Sequence, residues 1–332
     1  MTYTLDSVGN RLQRTSTLPA IVATGLLNYD ANDRVSTDSY DANGNTIQNS
    51  GQTNVYDFEN RLVQRGGVKI AYDGDGNRVK ETIATVTTSY LVADQNPTGY
   101  AQVLDELQAG VVTRTYSYGL ELINERQNLA GTLTTSFYGY DGHGSVRFLT
   151  DSTGAVTDTY DYDAFGNLIS STGTTPNNYL FAGEQFDAAL GIYYNRARYY
   201  DQRQGRFWTM DTTEGSQEDP LTLHKYLYSA DAPVNLLDPS GLDFVSDFVT
   251  GLEVQQAIGA QFRAQFGADG CFDRQIVNIL ASDCGAPRQV GLPFPGGLRP
   301  DLANVRTGAI FEIKPIKSAA DALLNSLLIE QC

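Results

Sequence analysis

The sequence has few of the residues that usually carry metal or redox chemistry. Its 332 residues include three cysteines, two histidines, two methionines and one tryptophan. An odd number of cysteines does not make a disulfide framework, and the spacing of Cys271, Cys284 and Cys332 fits no zinc pattern. We therefore expect the cysteines to be small apolar side chains or free thiols in a reducing cytoplasm.

Positive charge and long apolar runs are also scarce. Lys and Arg number 23 against 39 Asp and Glu, for a net charge of −16, which excludes a broadly basic surface for phosphate binding. No apolar run reaches the roughly 18 residues that span a bilayer, and the first ten residues lack the charged and apolar regions of a signal peptide. The sequence therefore predicts no transmembrane segment and an export route that its N-terminus does not encode.

Composition changes sharply along the chain. Every tyrosine lies before residue 230, whereas all three cysteines lie after residue 270. Such a change predicts a junction between two unlike domains.

A short repeat runs through the first part. The unit Tyr-Asp-x-x-Gly-Asn occurs as YDANGN at 40–45, YDGDGN at 72–77 and YDAFGN at 162–167, with looser copies near residues 6, 29, 56 and 140. Asp and Asn side chains cap tight turns, and Gly or Asn accepts the positive φ that hairpin turns require. Each unit therefore predicts a β-hairpin turn, although this does not explain the regular Tyr-Asp start.

Alternating runs such as 113–118 and 145–150 flank these turns and predict half-buried antiparallel strands. Successive hairpins would join into one long sheet that must curl or close to protect its edges. We predict a mainly β fold, with a curved and open antiparallel sheet followed by a small α/β or α+β C-terminal domain.

The segments after the repeats resemble a known family. They are similar to the Rhs repeat-associated core, and the matching stretches are FAGEQ at 181–185, GIYYNRARYYD at 191–201, GRF at 205–207, LHKYLY at 223–228 and DPSGL at 238–242. The resemblance implies part of a β-sheet shell, such as those of Rhs effectors and Tc-toxin C subunits. It divides the chain into a YD-repeat sheet at 1–180, a core at 181–242 and a variable toxin-like domain at 243–332. Because family shells are far longer, we expect this chain to be the terminal piece of one.

The same resemblance implies an aspartyl self-cleavage site. Its two carboxylates would be Asp211 and Asp238, and the bond cut would join Leu242 to Asp243. The segment after Asp211 departs from the family pattern, so Asp219 or Asp231 remains an alternative partner. Arg206 is a supporting residue that holds a carboxylate or orients the loop, and a structural ion pair is the alternative. An Asp-Pro-Ser-Gly sequence is equally typical of a type I turn with no catalytic role.

Beyond residue 242 the apolar spacing becomes helical. It predicts helices at 244–266, 272–281 and 318–329, and a hairpin whose second strand covers 309–315.

The hairpin contains a pattern similar to the PD-(D/E)xK nuclease core. Glu312 and Lys314 are two residues apart on a strand and share one face, and Asp301 on the neighbouring strand can reach the same place. Asp301 and Glu312 would bind Mg²⁺, and Lys314 would orient the attacking water. Glu253 is a further candidate acid. An exposed strand with a surface ion pair is the alternative.

Two functions follow. The first is the C-terminal part of an Rhs polymorphic toxin, cytoplasmic before export and delivered to target cells without its own signal peptide. Its expected partners are a cognate immunity protein, an upstream Rhs shell or secretion-apparatus component, and nucleic acid as substrate. The second is a non-enzymatic YD-repeat fragment with an inert tail that acts in surface interaction or carbohydrate binding through exposed tyrosines.

Overall fold

The computed structural model describes residues 1–129, 131–216, 218, 220–246, 270–272, 302–304 and 309–311. The chain divides into two units, 1–138 with 143–246 and 139–142 with 247–332. Within the described residues, no helix is long and apolar enough to cross a membrane.

One antiparallel sheet of fourteen strands dominates the part of the chain that the structure describes. Its strands lie side by side in chain order, so each connects to the next as a hairpin, and β3 and β16 form the two edges. The prediction of a large open β-sheet is therefore confirmed. The strands are β3 (Ser39–Tyr40), β4 (Thr46–Asn49), β5 (Gln52–Tyr56), β6 (Leu62–Arg65), β7 (Val68–Tyr72), β8 (Arg78–Ile83), β9 (Val86–Ala93), β10 (Gln102–Gln108), β11 (Val111–Tyr118), β12 (Leu122–Leu129), β13 (Thr132–Tyr140), β14 (Val146–Thr150), β15 (Val156–Tyr162) and β16 (Leu168–Thr172). Before them, β1 (Thr2–Leu5) pairs with β2 (Arg11–Thr15).

The aspartate of each repeat organises its turn. Asp163 Oδ1 accepts hydrogen bonds from the backbone N–H groups of Phe165 and Asn167, and Oδ2 accepts one from the Asn167 side chain at 2.8 Å. Gly166 between them has φ +88°, a conformation that costs glycine little. In the looser copy at 56–61, Asn60 adopts the positive φ, and Arg61 Nε replaces the asparagine amide on Asp57 at 2.8 Å. The two copies therefore form the same turn, although different residue types supply the positive φ and the side-chain hydrogen bond to the aspartate.

In four copies of the repeat, the tyrosine that precedes the aspartate joins consecutive repeats. Its hydroxyl donates to the carbonyl of the first residue after the preceding turn. The pairs are Tyr29 to Arg11 at 2.8 Å, Tyr56 to Thr46 at 3.1 Å, Tyr72 to Leu62 at 2.9 Å and Tyr162 to Val146 at 2.9 Å. Tyr40 contacts the equivalent residue in another way, because its hydroxyl accepts the N–H of Val35 at 3.0 Å. These bonds between repeats give the tyrosine of the Tyr-Asp start a structural role.

A second antiparallel sheet packs on the first within the same unit. It consists of β17 (Gln185–Asp187), β18 (Ile192–Asn195), β19 (Arg198–Asp201) and β20 (Arg206–Phe207). Its Leu190, Ile192 and Trp208 lie in one apolar cluster with Leu62 and Ile70 of the large sheet. Burying such side chains stabilises each by about 1.5–3 kcal/mol, so this cluster holds the core block against the repeats.

A buried arginine adds a polar connection between the two sheets. Arg78, just after the YDGDGN turn, contacts Asp187 Oδ2 at 3.1 Å and donates to Gln185 Oε1 at 2.6 Å. Both members of the ion pair are 2% exposed. Removing one partner of such a pair leaves a buried charge uncompensated, at a cost of about 3–5 kcal/mol.

Three short 3-10 segments, Phe181–Gly183, Pro220–Leu223 and Ser229–Asp231, lie among the loops of the core block. After them, β21 (Leu236–Leu237) pairs with β22 (Val245–Ser246). The prediction of a helix at residues 245 and 246 was wrong, because the turn at 238–242 returns the chain so that these two residues pair with β21.

The described tail residues form an antiparallel three-stranded sheet of β23 (Gly270–Phe272), β24 (Leu302–Asn304) and β25 (Ala309–Phe311). Leu302 pairs with Phe311, so β24 and β25 form the expected hairpin. Phe272 lies in a strand rather than a helix. The other residues of the predicted helices, apart from 244–246 and 272, lie outside the described part.

Candidate functional site: a carboxylate pair at the core–tail junction

The junction segment 238–243 is a turn closed by side-chain hydrogen bonds. Asp238 Oδ1 accepts the backbone N–H of Leu242 at 3.0 Å. Ser240 Oγ accepts the N–H groups of Leu242 and Asp243, each at 3.0 Å, and its hydroxyl donates to Asp238 Oδ1 at 3.1 Å. The amide nitrogen of the Leu242–Asp243 bond therefore has a fixed polar neighbour.

The tip of the β18–β19 hairpin holds this turn in place through hydrogen bonds. The Asn195 side chain donates to the Asp238 carbonyl at 2.8 Å, and Ala197 N–H donates to the Ser240 carbonyl at 3.1 Å. Arg196 and Arg198 donate to the carbonyls of Pro239 and Gly241 respectively. Four consecutive contacts thus hold a segment more than forty residues away in sequence.

Gly241 allows the junction turn to lie close to the tip of the β18–β19 hairpin. It has φ +75°, and a Cβ there would lie 2.1 Å from the Asn195 carbonyl oxygen. Only glycine meets both conditions without displacing the hairpin.

Arg198 brings the two predicted carboxylates together. Its Nη2 lies 2.7 Å from Asp211 Oδ2 and 3.4 Å from Asp238 Oδ2. The side chains of Arg198 and Asp238 are 4% and 3% exposed, and that of Asp211 is 12% exposed. The Phe207 ring lies 3.7 Å from the guanidinium carbon and restricts its orientation.

Asp211 is positioned by its own backbone. Its N–H donates to the Lys225 carbonyl at 2.8 Å, an oxygen that also accepts from Arg198 Nη1 at 3.3 Å. Asp211 Oδ1 accepts the N–H of Thr213 at 2.7 Å. The acid, its loop and the arginine therefore form one connected unit.

Burial shifts the pKa values of Asp238 and Arg198 away from those that the same groups have in water. Burial raises the pKa of Asp238 to about 6, against the attraction of Arg198 and with added repulsion from Asp211. Burial also lowers the pKa of the Arg198 guanidinium. A carboxyl that is neutral in part of the population near pH 6, beside a second carboxyl, is an arrangement suited to acid–base chemistry on one substrate.

The Leu242–Asp243 peptide bond lies in a cleft beside the two carboxyl groups. Arg198, Asp211 and Asp238 line it together with Leu242 and Asp243, and Leu221 and Leu227 contribute apolar walls. Asp243 is exposed, so water reaches the Leu242–Asp243 bond. The arrangement can present a water molecule to a peptide carbonyl beside two carboxyl groups.

Other sequence candidates lie elsewhere. Arg206 donates to the Asp33 carbonyl, and its guanidinium carbon lies 4.6 Å from the centroid of the Tyr226 ring. The alternative Asp231 lies against Gly9, with its Oδ2 2.7 Å from the position of a Cβ there, and burial raises its pKa to about 7. Asp219, Glu253, Asp301, Glu312 and Lys314 lie outside the described residues.

Arg198 is the functional residue that sequence reasoning missed. It stands inside the matched stretch GIYYNRARYYD, but two arginines of that stretch and Arg206 nearby offered no means of choosing among them. Within the described ranges, no group of three or more His, Cys, Asp or Glu residues is arranged to hold a metal ion.

Comparison with known proteins gives sequence relatives and structural neighbours, while no family model matches. The tRNA nuclease WapA of Bacillus subtilis is 33% identical over 72% of this chain and 11% of WapA. Toxin protein Tse5 of Pseudomonas aeruginosa is 34% identical over 24% of this chain and 6% of its own length. A structure of the Photorhabdus luminescens Tc holotoxin pore matches 73% of this chain and 13% of that one, with a TM-score of 0.58 and 21% identity.

The two sequence relatives bear on the family of this chain, and the structural neighbour bears on its fold. The repeat turns, the open sheet and these similarities together support placing the chain in the Rhs family of YD-repeat proteins. The chain spans about a tenth of the length of WapA.

Proposed function

We propose that this chain is the C-terminal part of an Rhs-type polymorphic toxin that cleaves itself between Leu242 and Asp243 and so frees its tail. The observation that carries the proposal is the contact of one Arg198 nitrogen with both Asp211 and Asp238, in the cleft that also contains the bond.

The two carboxyl groups take complementary parts in the cleavage. Asp211, the more exposed of the two, acts as the carboxylate that removes a proton from water as the water attacks the Leu242 carbonyl carbon. Asp238, whose pKa burial raises to about 6, supplies the proton that the departing Asp243 nitrogen needs. Because the bond is held beside the groups that cut it, even modest acid–base catalysis suffices for a single turnover.

The test is direct. Wild type should yield a fragment whose N-terminal sequence begins Asp243-Phe244, and Asp211→Asn and Asp238→Asn should remain whole. Equal cleavage in all three chains would exclude the carboxylate pair.

We further propose that the freed tail is a metal-dependent nuclease. Asp301 and Glu312 would hold Mg²⁺, Lys314 would orient the attacking water, and Glu253 would be an additional acid. The sequence pattern and the name of the relative, a tRNA nuclease, support this substrate class. Incubation of the isolated tail with tRNA and with DNA, with Mg²⁺ or EDTA, tests it: Asp301→Ala and Lys314→Ala should abolish cleavage of whichever substrate wild type cuts.

Such a toxin needs partners. A cognate immunity protein would bind the tail, and an upstream shell or a component of a secretion apparatus would carry the chain to target cells. Co-expression that rescues cells from the tail identifies the immunity protein.

The alternative is a non-enzymatic YD-repeat fragment that binds surfaces or carbohydrates. It has less support, because the hydroxyls of Tyr29, Tyr56, Tyr72 and Tyr162 donate to backbone carbonyls within the fold. Saccharide binding by a chain that never cleaves would favour this alternative.

A further inference from the structure

The hydroxyl of Ser240 lies between the buried carboxyl of Asp238 and the nitrogen of the Leu242–Asp243 bond. Ser240 Oγ is 3.1 Å from Asp238 Oδ1 on one side and 3.0 Å from Asp243 N on the other. A continuous hydrogen-bonded chain therefore links a carboxyl oxygen with the leaving nitrogen of the proposed cleavage.

Arg198 determines which oxygen of Asp238 carries a proton. Its Nη2 donates to Oδ2 and, like every guanidinium nitrogen, has no acceptor capacity. Oδ2 therefore faces a positive charge, whereas Oδ1 accepts from two neutral donors, the Leu242 N–H and the Ser240 hydroxyl. The cation disfavours a proton on Oδ2, so the proton of the neutral carboxyl lies on Oδ1, whose remaining lone pair still accepts the Leu242 N–H. This is the oxygen that faces Ser240.

Amide hydrolysis needs such a donor, because the nitrogen leaves as a neutral amine only if it gains a proton as the carbon–nitrogen bond breaks. We propose that Ser240 is a catalytic residue that relays a proton from Asp238 Oδ1 to the nitrogen of Asp243, a role that rests on the proposed self-cleavage.

The step balances as follows. Water adds to the Leu242 carbonyl carbon as the carbonyl π pair moves to its oxygen, and the water loses one proton to Asp211. The lone pair of the Asp243 nitrogen, no longer conjugated with the carbonyl, becomes basic. The Ser240 hydroxyl rotates to donate its proton to that lone pair and receives the proton of Asp238 Oδ1. The oxyanion then re-forms the C=O bond while the carbon–nitrogen bond breaks with its electron pair on nitrogen. This leaves a carboxyl group on Leu242, a neutral amine on Asp243, Asp211 protonated and Asp238 ionised.

A purely structural role for Ser240 is the competing explanation, since its oxygen also accepts the N–H groups of Leu242 and Asp243. Three substitutions separate the two roles. Ser240→Thr keeps the hydroxyl, and Ser240→Ala removes it. Ser240→Asn keeps a side-chain oxygen that can accept the same backbone groups in an Asx-turn, but has no hydroxyl to pass a proton.

The experiment follows self-cleavage of the full chain with time during cell-free synthesis, beside Asp211→Asn and Asp238→Asn. The relay predicts a rate near wild type for Ser240→Thr. For Ser240→Ala and Ser240→Asn it predicts a rate lower by roughly 100-fold or more, the scale of a lost general acid. Thermal unfolding of the uncleaved variants, compared with Asp238→Asn, checks that each chain is folded.

The outcomes are distinct. Rapid cleavage by folded Ser240→Asn or Ser240→Ala would overturn the relay and leave self-cleavage intact. Cleavage by Asp211→Asn and Asp238→Asn at the wild-type rate, or no cleavage by wild type, would overturn the self-cleavage and the relay together.

Discussion

A single nitrogen of Arg198 lies within 3.4 Å of both Asp211 and Asp238, although the two aspartates are separated by a long loop of the core block. Arg198 itself is held by the Phe207 ring and by two backbone carbonyls. This contact connects the carboxylate pair to the second sheet, in which Arg198 is the first residue of β19.

The first prediction concerns the shape of Arg198. Arg198→Lys keeps the charge but cannot reach both aspartates and the carbonyls of Gly241 and Lys225 from one ammonium group. Self-cleavage should slow by about 10-fold or more, since small misplacement of catalytic groups has effects of this size. Arg203→Lys, at a side chain that is 46% exposed, is the control and should cleave normally. Equal rates in the two variants would show that Arg198 contributes only charge.

A second prediction uses two glycines with nearly the same backbone. Gly241 has φ +75° and Gly51 has φ +73°, but a Cβ meets the Asn195 carbonyl oxygen at 2.1 Å only at Gly241, with nothing within 4 Å at Gly51. Gly241→Ala should therefore block self-cleavage by displacing the junction turn. Gly51→Ala should cleave as wild type does, with a small loss of stability from the strained φ. Quantitative gel analysis of both chains measures this; full cleavage by Gly241→Ala would contradict the seated turn.

The repeat tyrosines supply a third prediction, on stability. Tyr56→Phe and Tyr72→Phe each remove a hydroxyl that donates to a backbone carbonyl of the preceding repeat. Each should lower the free energy of unfolding by about 1 kcal/mol, the usual net worth of one such bond. Tyr100→Phe is the matched control, because its hydroxyl has no hydrogen-bond partner among the described residues. In urea unfolding, the control should have the same free energy of unfolding as wild type. An equal decrease in all three variants would show that the hydrogen bonds between repeats do not stabilise the protein.

The fourth prediction is an unusual pH dependence of stability. Burial raises the pKa values of Glu125 and Asp231 to about 7, from ordinary values of 4.5 and 3.8, and raises that of Glu81. The stability that these carboxyls contribute is complete below their ordinary pKa values and is lost as pH rises through about 7. His224 opposes them only as pH falls below its ordinary 6.5, since burial lowers its pKa to about 4.

The melting temperature of the uncleaved Asp211→Asn chain should therefore be higher at pH 6 than at pH 8. A lower value at pH 6 would contradict the expectation that the effect of the three carboxyls on stability outweighs that of His224.

Local patterns made much of the sheet predictable. The Asp, Gly and Asn of each repeat determine a turn through bonds within five residues, so the sequence alone indicated hairpins and their order. The reason for the tyrosine was not accessible in this way, because its partner lies ten or more residues away in another hairpin.

The candidate site, like the sheet, was predictable from the sequence only in part. Resemblance identified Asp211 and Asp238, but the choice between Arg198 and Arg206 depends on how β19 and β20 face the junction turn. Arg206 pairs across the sheet with Asp201 and turns to Asp33, a contact that no spacing in the sequence predicts. Likewise, the position of Ser240 between Asp238 and Asp243 follows from the closed turn rather than from the DPSGL sequence alone.

The most direct test of self-cleavage is the intact mass of the purified wild-type chain beside Asp211→Asn and Asp238→Asn. The carboxylate pair predicts two wild-type masses, matching residues 1–242 and 243–332, and one full-length mass for each variant. A single full-length mass for wild type, or the same two fragments from all three chains, would contradict it.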